Sequence, residues 1–259
     1  MTSIAAITGA ASGIGRGTAR LLLDQGWTVV AMDVSEQGLS KLREEFGIYG
    51  PRLDTVLADV TSEASLAKAF DEITKRHGHL NGFVASAGLL RTGPLDSMPA
   101  NEWDDLFAVN VRGVWLSTKH AMPLLKAAAA KGDAARVVFL ASISGLRHKI
   151  DSGAYAATKA AVIALTKVWA VESAASGVLV NAVAPATTET PMVAPHLNPG
   201  SNTRYRTSGT SPIGRIAQPV DIANVIHFLM SPAAAYVNGT VIPVDAGTIA
   251  AFVPAGVKV

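Results

Sequence analysis

Tyr155 and Lys159 stand four residues apart in the stretch SGAYAATKAAV, residues 152–162. In a helix that spacing puts both side chains on one face. A phenol can give or take a proton, and a neighbouring ammonium favours its ionised form. The plainer alternative is a packed tyrosine beside a lysine whose amine reaches solvent. The stretch continues as AAVIALTKVWAV, residues 160–171, the pattern of a core-facing helix. The pair alone leaves both readings open.

A second group lies near the start of the chain. The run SIAAIT, residues 3–8, passes straight into TGAASGIG, residues 8–15, with glycines at 9, 13 and 15. Glycine permits tight turns and close approach of a ligand to the backbone. The helix expected to follow offers unpaired N–H groups and a positive dipole end, so the turn can hold a pyrophosphate. A glycine-rich turn without a ligand is the alternative; the position after strand one and before helix one favours the dinucleotide site. Asp33 closes the next strand, eighteen residues beyond Gly15. Its carboxylate can accept from adenosine ribose hydroxyls and would repel a 2′-phosphate, which favours NAD over NADP. It could also serve as a helix cap at Val34–Ser35. Asp59, in LADV, is either an adenine contact or the cap of a helix starting near Ser62.

The elements that must position these residues are legible as alternating runs. Apolar strand-like segments fall at 3–8, 27–33, 53–58, 82–86, 136–142, 178–184 and 239–244. They are continuous rather than alternating, as in a parallel sheet covered on both faces. Helical patterns fall at 14–25, 36–46, 62–76, 101–130, 153–174 and 219–230. This order predicts one doubly wound α/β domain over residues 1–259. The stretch 187–215 has no clear period and holds four of the chain's prolines, so it reads as a substrate loop.

Composition excludes several classes. The chain is 49% hydrophobic and 16% charged, too apolar for disorder. Its net charge of +2 comes without a basic block, so no nucleic-acid partner is expected. Without cysteine there is no thiolate catalysis, disulfide or cysteine-ligated metal, and no metal site is predicted. No signal peptide or membrane-spanning run is read, and a cytoplasmic location is expected.

Together these residues resemble the short, single-domain branch of the short-chain dehydrogenase/reductase family, over nearly the whole chain. Thr8, Gly9, Gly13 and Gly15 match its glycine motif, and Tyr155 and Lys159 its YxxxK motif. Ser142, thirteen residues before the tyrosine, matches its serine, and Asn110 in FAVNVRG its asparagine. The resemblance implies a Rossmann fold with a seven-stranded parallel sheet in the order 3-2-1-4-5-6-7. It also implies that Asn110, Ser142, Tyr155 and Lys159 are catalytic. Tyr155 would be the acid/base in transfer of hydride between NAD and a secondary alcohol or ketone. Lys159 would hold the nicotinamide ribose, Ser142 the substrate oxygen, and Asn110 a water chain from Lys159. Implied NAD contacts are Gly9, Ser12, Gly13, Ile14, Gly15, Asp33, Asp59, Val60, Ala87, Gly88, Tyr155, Lys159, Pro185, Thr188 and Thr190. The alternatives are that Ser142 only bonds local backbone and Asn110 only satisfies a helix kink.

Three positions depart from the family's pattern. Ala85 replaces an asparagine in ASAG, Ala186 replaces a glycine after Pro185, and Ala246 stands inside Asp245–Ala246–Gly247, read as a structural turn. Arg91, Arg147 and His148 are expected at the mouth of the pocket with Ser144. Lys149, His196, Arg204, Tyr205 and Arg206 add to a basic cluster that either points to a polar or anionic substrate or is no more than a solvated rim. A sugar, polyol, hydroxy acid or cyclic hydroxy compound would fit. A 3-ketoacyl thioester reductase using NADP is the enzymatic alternative, and a non-catalytic NAD-binding regulator the alternative of another class. The resemblance implies a homotetramer pairing the long helices, the last strand and the apolar tail 250–257.

Overall fold

The computed structural model describes residues 2–197 and 211–251. Seven parallel strands form one sheet: β1 (Ile4–Thr8), β2 (Thr28–Asp33), β3 (Leu53–Leu57), β4 (Gly82–Ala85), β5 (Ala135–Leu140), β6 (Val178–Pro185) and β7 (Val241–Val244). Their order is β3-β2-β1-β4-β5-β6-β7, as the resemblance implies. The strand order reverses between β1 and β4, where Thr8 pairs with both Met32 and Ala85. In open α/β sheets the crevice at such a reversal is where ligands bind.

The continuous apolar runs are explained by burial on both faces. Ala5, Ile7, Val29 and Ala31 meet helices α1 (Gly13–Asp24), α2 (Glu36–Glu45) and α8 (Pro219–Met230). Ala6, Val30, Val56 and Phe83 meet α3 (Glu63–His77), α5 (Gly113–Ala129) and α6 (Gly153–Ala174). Each face is a core of its own, so the site at the strand ends rests on a sheet held from both sides.

Several expectations need correction. The single helix expected over 101–130 is α4 (Ala100–Phe107), a π-helical segment over Ala108–Arg112, and then α5. Asn110 sits in that wider turn, which is how an extra residue enters a helix at a functional position. The long loop contains a short helix, α7 (Ala194–Leu197); Arg204, Tyr205 and Arg206 lie outside the described residues, as does the tail beyond Ala251.

The caps also fall differently. Asp59 is not the cap of α3: Ser62 is, its side chain accepting from the Ser65 N–H at 3.2 Å. Asp59 instead accepts from the Thr61 N–H and hydroxyl at 2.8 and 2.7 Å. Likewise Ser35 caps α2, accepting from the Gly38 N–H at 3.0 Å, while Asp33 accepts from the Ser35 N–H just ahead of it. Asp245 does form the expected turn, its carboxylate accepting from the Gly247 and Ile249 N–H groups.

By length and composition α6 could cross a membrane, contrary to the reading that no run qualifies. Here it packs against β6 and buries Thr158, Lys159 and Thr166, the behaviour of a core helix.

Candidate active site

The glycine turn is built first by its own packing. A Cβ on Gly15 would stand 2.2 Å from the Gly9 carbonyl oxygen, and one on Gly9 2.8 Å from Ala87 Cα. The turn therefore lies flat against the end of β4. Thr8 closes it from below, its hydroxyl accepting from the Ser86 and Ala87 N–H groups, both at 3.2 Å. Gly15→Ala is expected to destabilise the fold by about 2 kcal/mol, because a backbone oxygen has no rotamer to move to. Thermal unfolding with and without NADH would read that loss together with loss of cofactor affinity.

The start of α1 is open to a ligand. Ser12 gives it no side-chain cap, and no acidic residue lies in its first turn. Uncapped N–H groups and the dipole end suit an anion. The donor set thus fits the pyrophosphate of a dinucleotide. On the adenosine side, Asp33 Oδ2 accepts from the Ala11 N–H at 3.0 Å and Oδ1 from Ser35 at 3.0 Å. A carboxylate has about four acceptor positions, so two are left for ribose hydroxyls. The arginines of α1 are committed elsewhere: Arg16 pairs with Glu45, and Arg20 stands 3.4 Å from Asp24.

One cleft joins this turn to the tyrosine helix. Gly9, Ser12, Gly13, Ile14, Gly15, Gly88, Ser142, Tyr155, Lys159, Pro185, Thr188 and Thr190 all line it. Asp33, Asp59, Val60 and Ala87 lie outside this lining, at or just beyond the ends of β2, β3 and β4. Val60 is buried, and a Cβ on Gly113 would stand 2.8 Å from it, so it packs beneath α5.

Ser142 stands two residues beyond the end of β5, and its hydroxyl oxygen accepts from the Ser144 N–H at 3.1 Å. It does bond local backbone, and because that bond uses its oxygen as acceptor, its own O–H remains to donate into the cleft. Lys159 is buried, and its Nζ donates to the Leu140 carbonyl at 2.7 Å. Burial pulls its ammonium down to about 8, so it still carries its proton at neutral pH. The Nζ lies 5.7 Å from the centre of the Tyr155 ring. Leu140 was not legible as the lysine's anchor, because a backbone carbonyl leaves no mark in side-chain spacing.

Asn110 is fully buried. Its Oδ1 accepts from the Leu89 N–H at 2.7 Å, and its Nδ2 donates to the Leu89 carbonyl at 2.9 Å and to the Thr158 hydroxyl at 3.1 Å. The Thr158 hydroxyl in turn donates to the Tyr155 carbonyl at 2.7 Å. Thr158, overlooked in the sequence, thus ties Asn110 to the tyrosine helix. A Cβ on Gly88 would lie 3.6 Å from Asn110 Oδ1 and 4.0 Å from Lys159 Nζ, so both face this glycine.

The expected substrate residues do not line the cleft. Arg91, Arg147 and His148 are exposed. Arg91 donates to the Leu90 carbonyl at 3.2 Å, and the His148 ring meets the Ser144 carbonyl at 2.8 Å. Ser144 is buried and holds that turn instead. Among the described residues, Leu89, Met192, Val193 and Ala186 give the cleft apolar lining there, beside Thr188 and Thr190. Loops without periodicity gave no signal of which side chains turn inward.

A family model described as enoyl-(acyl carrier protein) reductase matches residues 9–248. Cis-4-hydroxycyclohexanecarboxylate dehydrogenase of Sinomonas cyclohexanicum is 40% identical over 245 residues, 94% of this chain and 95% of that one. The chain belongs to the short-chain dehydrogenase/reductase family. As a member of this family it is an oxidoreductase served by a nicotinamide cofactor. Two solved members of the family share its architecture. The 3-ketoacyl-(acyl-carrier-protein) reductase of Brucella melitensis, complexed with NADH, matches at 30% identity and TM-score 0.86, covering 95% of this chain and 98% of its own. The gluconate 5-dehydrogenase of Burkholderia cenocepacia J2315, in complex with NADP and tartrate, matches at 30% identity and TM-score 0.87, covering 96% of each chain.

Proposed function

We propose that this protein is an NAD-dependent dehydrogenase that interconverts a secondary alcohol and a ketone, with Tyr155 moving the proton. The observation that carries the reading is the single cleft in which Ser142, Tyr155 and Lys159 meet the glycine turn. Gly13, Ile14 and Gly15 would hold the pyrophosphate, Asp33 the adenosine ribose, and Lys159 the nicotinamide ribose. The bound dinucleotide would supply the hydride acceptor for oxidation of the alcohol carbon and, in its reduced form, the hydride donor for the ketone.

The chain's own residues handle the oxygen. Ser142 donates its O–H to the substrate oxygen and fixes its position. The Tyr155 phenolate takes the hydroxyl proton in oxidation, and the phenol returns it in reduction. The Lys159 ammonium favours the phenolate by charge. One of its three N–H groups is used by Leu140, leaving two for hydroxyls. Asn110 holds the Leu89 backbone and, through Thr158, the tyrosine helix.

The apolar walls at Leu89, Met192 and Val193, and the 40% identical relative named for a hydroxycyclohexane carboxylate, favour a cyclic hydroxy compound. Arg91, Arg147 and His148 are exposed and outside this lining, so they lend an anionic substrate less support than the apolar walls lend a ring. A homotetramer in the cytoplasm remains part of this reading, and sedimentation tests the assembly.

Asp33 supports NAD over NADP, since the arginines near it are already paired. Titration with NADH and NADPH tests it. Wild type should prefer NADH, and Asp33→Ala should narrow that preference by about tenfold or more, the effect of losing charged hydrogen bonds. Tighter NADPH binding by wild type, or an unchanged ratio in the variant, would overturn the cofactor assignment.

A further inference from the structure

The first turn of α6 carries Tyr155, yet its N-terminus has no side-chain cap. Ser152, at the cap position, donates its hydroxyl backwards to the Lys149 carbonyl at 2.8 Å. Helix ends without caps fray, and a fraying first turn would move the tyrosine. Something else must hold this end.

The holding contacts come from the loop after β4. Asp151 adopts the left-handed backbone region, φ 62°. That conformation directs its carbonyl to the Gly93 N–H, which donates at 2.8 Å. Two residues on, Gly153 lies against Leu95, where a Cβ would stand 2.9 Å from Leu95 Cγ. The same loop carries Gly88 and Leu89, which line the cleft together with Ser142 and Tyr155. One hydrogen bond and one close packing contact therefore join two of the segments that line it. A left-handed non-glycine residue persists only where its surroundings enforce it, and aspartate tolerates it better than other side chains with a Cβ.

We infer that Asp151 is a positioning residue: its left-handed backbone ties the first turn of α6 to the loop at Gly93 and so places Tyr155 in the cleft. Lys159 lies one turn further in, anchored independently on Leu140. Loss of the tie should therefore disturb proton transfer and leave cofactor binding in place. The inference rests on the assignment of Tyr155 as the acid/base.

The test is a graded series, Asp151→Gly, Asp151→Ala and Asp151→Val, in the full chain. Left-handed backbone is easiest for glycine, harder for alanine and worst for a β-branched residue. Hydrogen exchange of the 153–158 amides should be as wild type in Asp151→Gly and faster in alanine, with about a tenfold or larger rise in valine. Exchange over 162–172 and affinity for NADH should stay level across the series. Turnover of NAD+ with a secondary alcohol should fall in the same order, with kcat changing more than KM. Unchanged exchange at 153–158 in Asp151→Val, or NADH affinity falling in step with kcat, would overturn the tie. The expected exchange pattern with no alcohol turnover in wild type would instead count against the proposed reaction and leave the tie standing. If Asp151→Val does not fold, the alanine and glycine variants still give the order.

Discussion

Tyr155→Phe should lower alcohol oxidation by NAD+ about 10³-fold or more, while NADH affinity stays within about threefold of wild type. The ring remains and only the proton-carrying oxygen is lost. Phenylalanine fills the same space, so the helix and the Lys159–Leu140 contact have no reason to move. Single-turnover rates and NADH fluorescence titration separate the two effects. A kcat within tenfold of wild type would remove Tyr155 as the acid/base. A parallel loss of NADH affinity would make its role structural.

Lys159→Met should have two opposed effects. Hydride transfer should fall about 10²-fold or more, because the charge that favours the phenolate is gone. The protein without cofactor should become more stable at pH 7, by about 1–3 kcal/mol, since a buried ammonium no longer has to be desolvated. The pH dependence follows from burial lowering the lysine from 10.5 to about 8. Below pH 8 both folded and unfolded wild type hold the proton, and the burial cost is present in full. Between about 8 and 10.5 the unfolded chain keeps a proton the folded protein has lost, so the lysine's unfavourable contribution shrinks as pH rises. Above 10.5 neither state is charged and that cost is gone. Denaturant melts of both proteins from pH 7 to 10 should therefore converge. Loss of the Leu140 contact sets the lower end of the range. A variant less stable than wild type at pH 7 would show that the lysine's hydrogen bond outweighs its desolvation.

Much of this was legible in advance, for identifiable reasons. Strands such as Ile4–Thr8 and Val178–Pro185 are buried on both faces, and continuous apolar runs report that directly. The tyrosine and lysine share a face because four residues make about one turn. The π-helical segment was not legible, because the i→i+5 backbone bond that defines it, from the Gly113 N–H to the Ala108 carbonyl, leaves no mark in side-chain spacing. Ser62 rather than Asp59 caps α3 because a cap needs its oxygen near the third helical N–H, a matter of three residues that composition does not resolve. The basic residues were harder to place. Arg91, Arg147 and His148 belong to loops, where no period says which way a side chain turns, and each is exposed. Apolar Leu89, Met192 and Val193 occupy the wall instead.

The stability gain expected of Lys159→Met and the tie at Asp151 describe one arrangement. The site keeps an unfavourable buried charge and an uncapped helix start where the reacting oxygen must lie. Unfavourable features are retained at sites where function depends on them.

The most direct measurement mixes wild type with NAD+ and a panel of cyclic and open-chain secondary alcohols, and follows NADH and ketone together. Equal amounts of both, with NADP+ slower and cyclic alcohols faster, are the predicted result. Tight NADH binding with no conversion of any panel alcohol or its ketone, in either direction, would contradict the account and favour a non-catalytic NAD-binding protein.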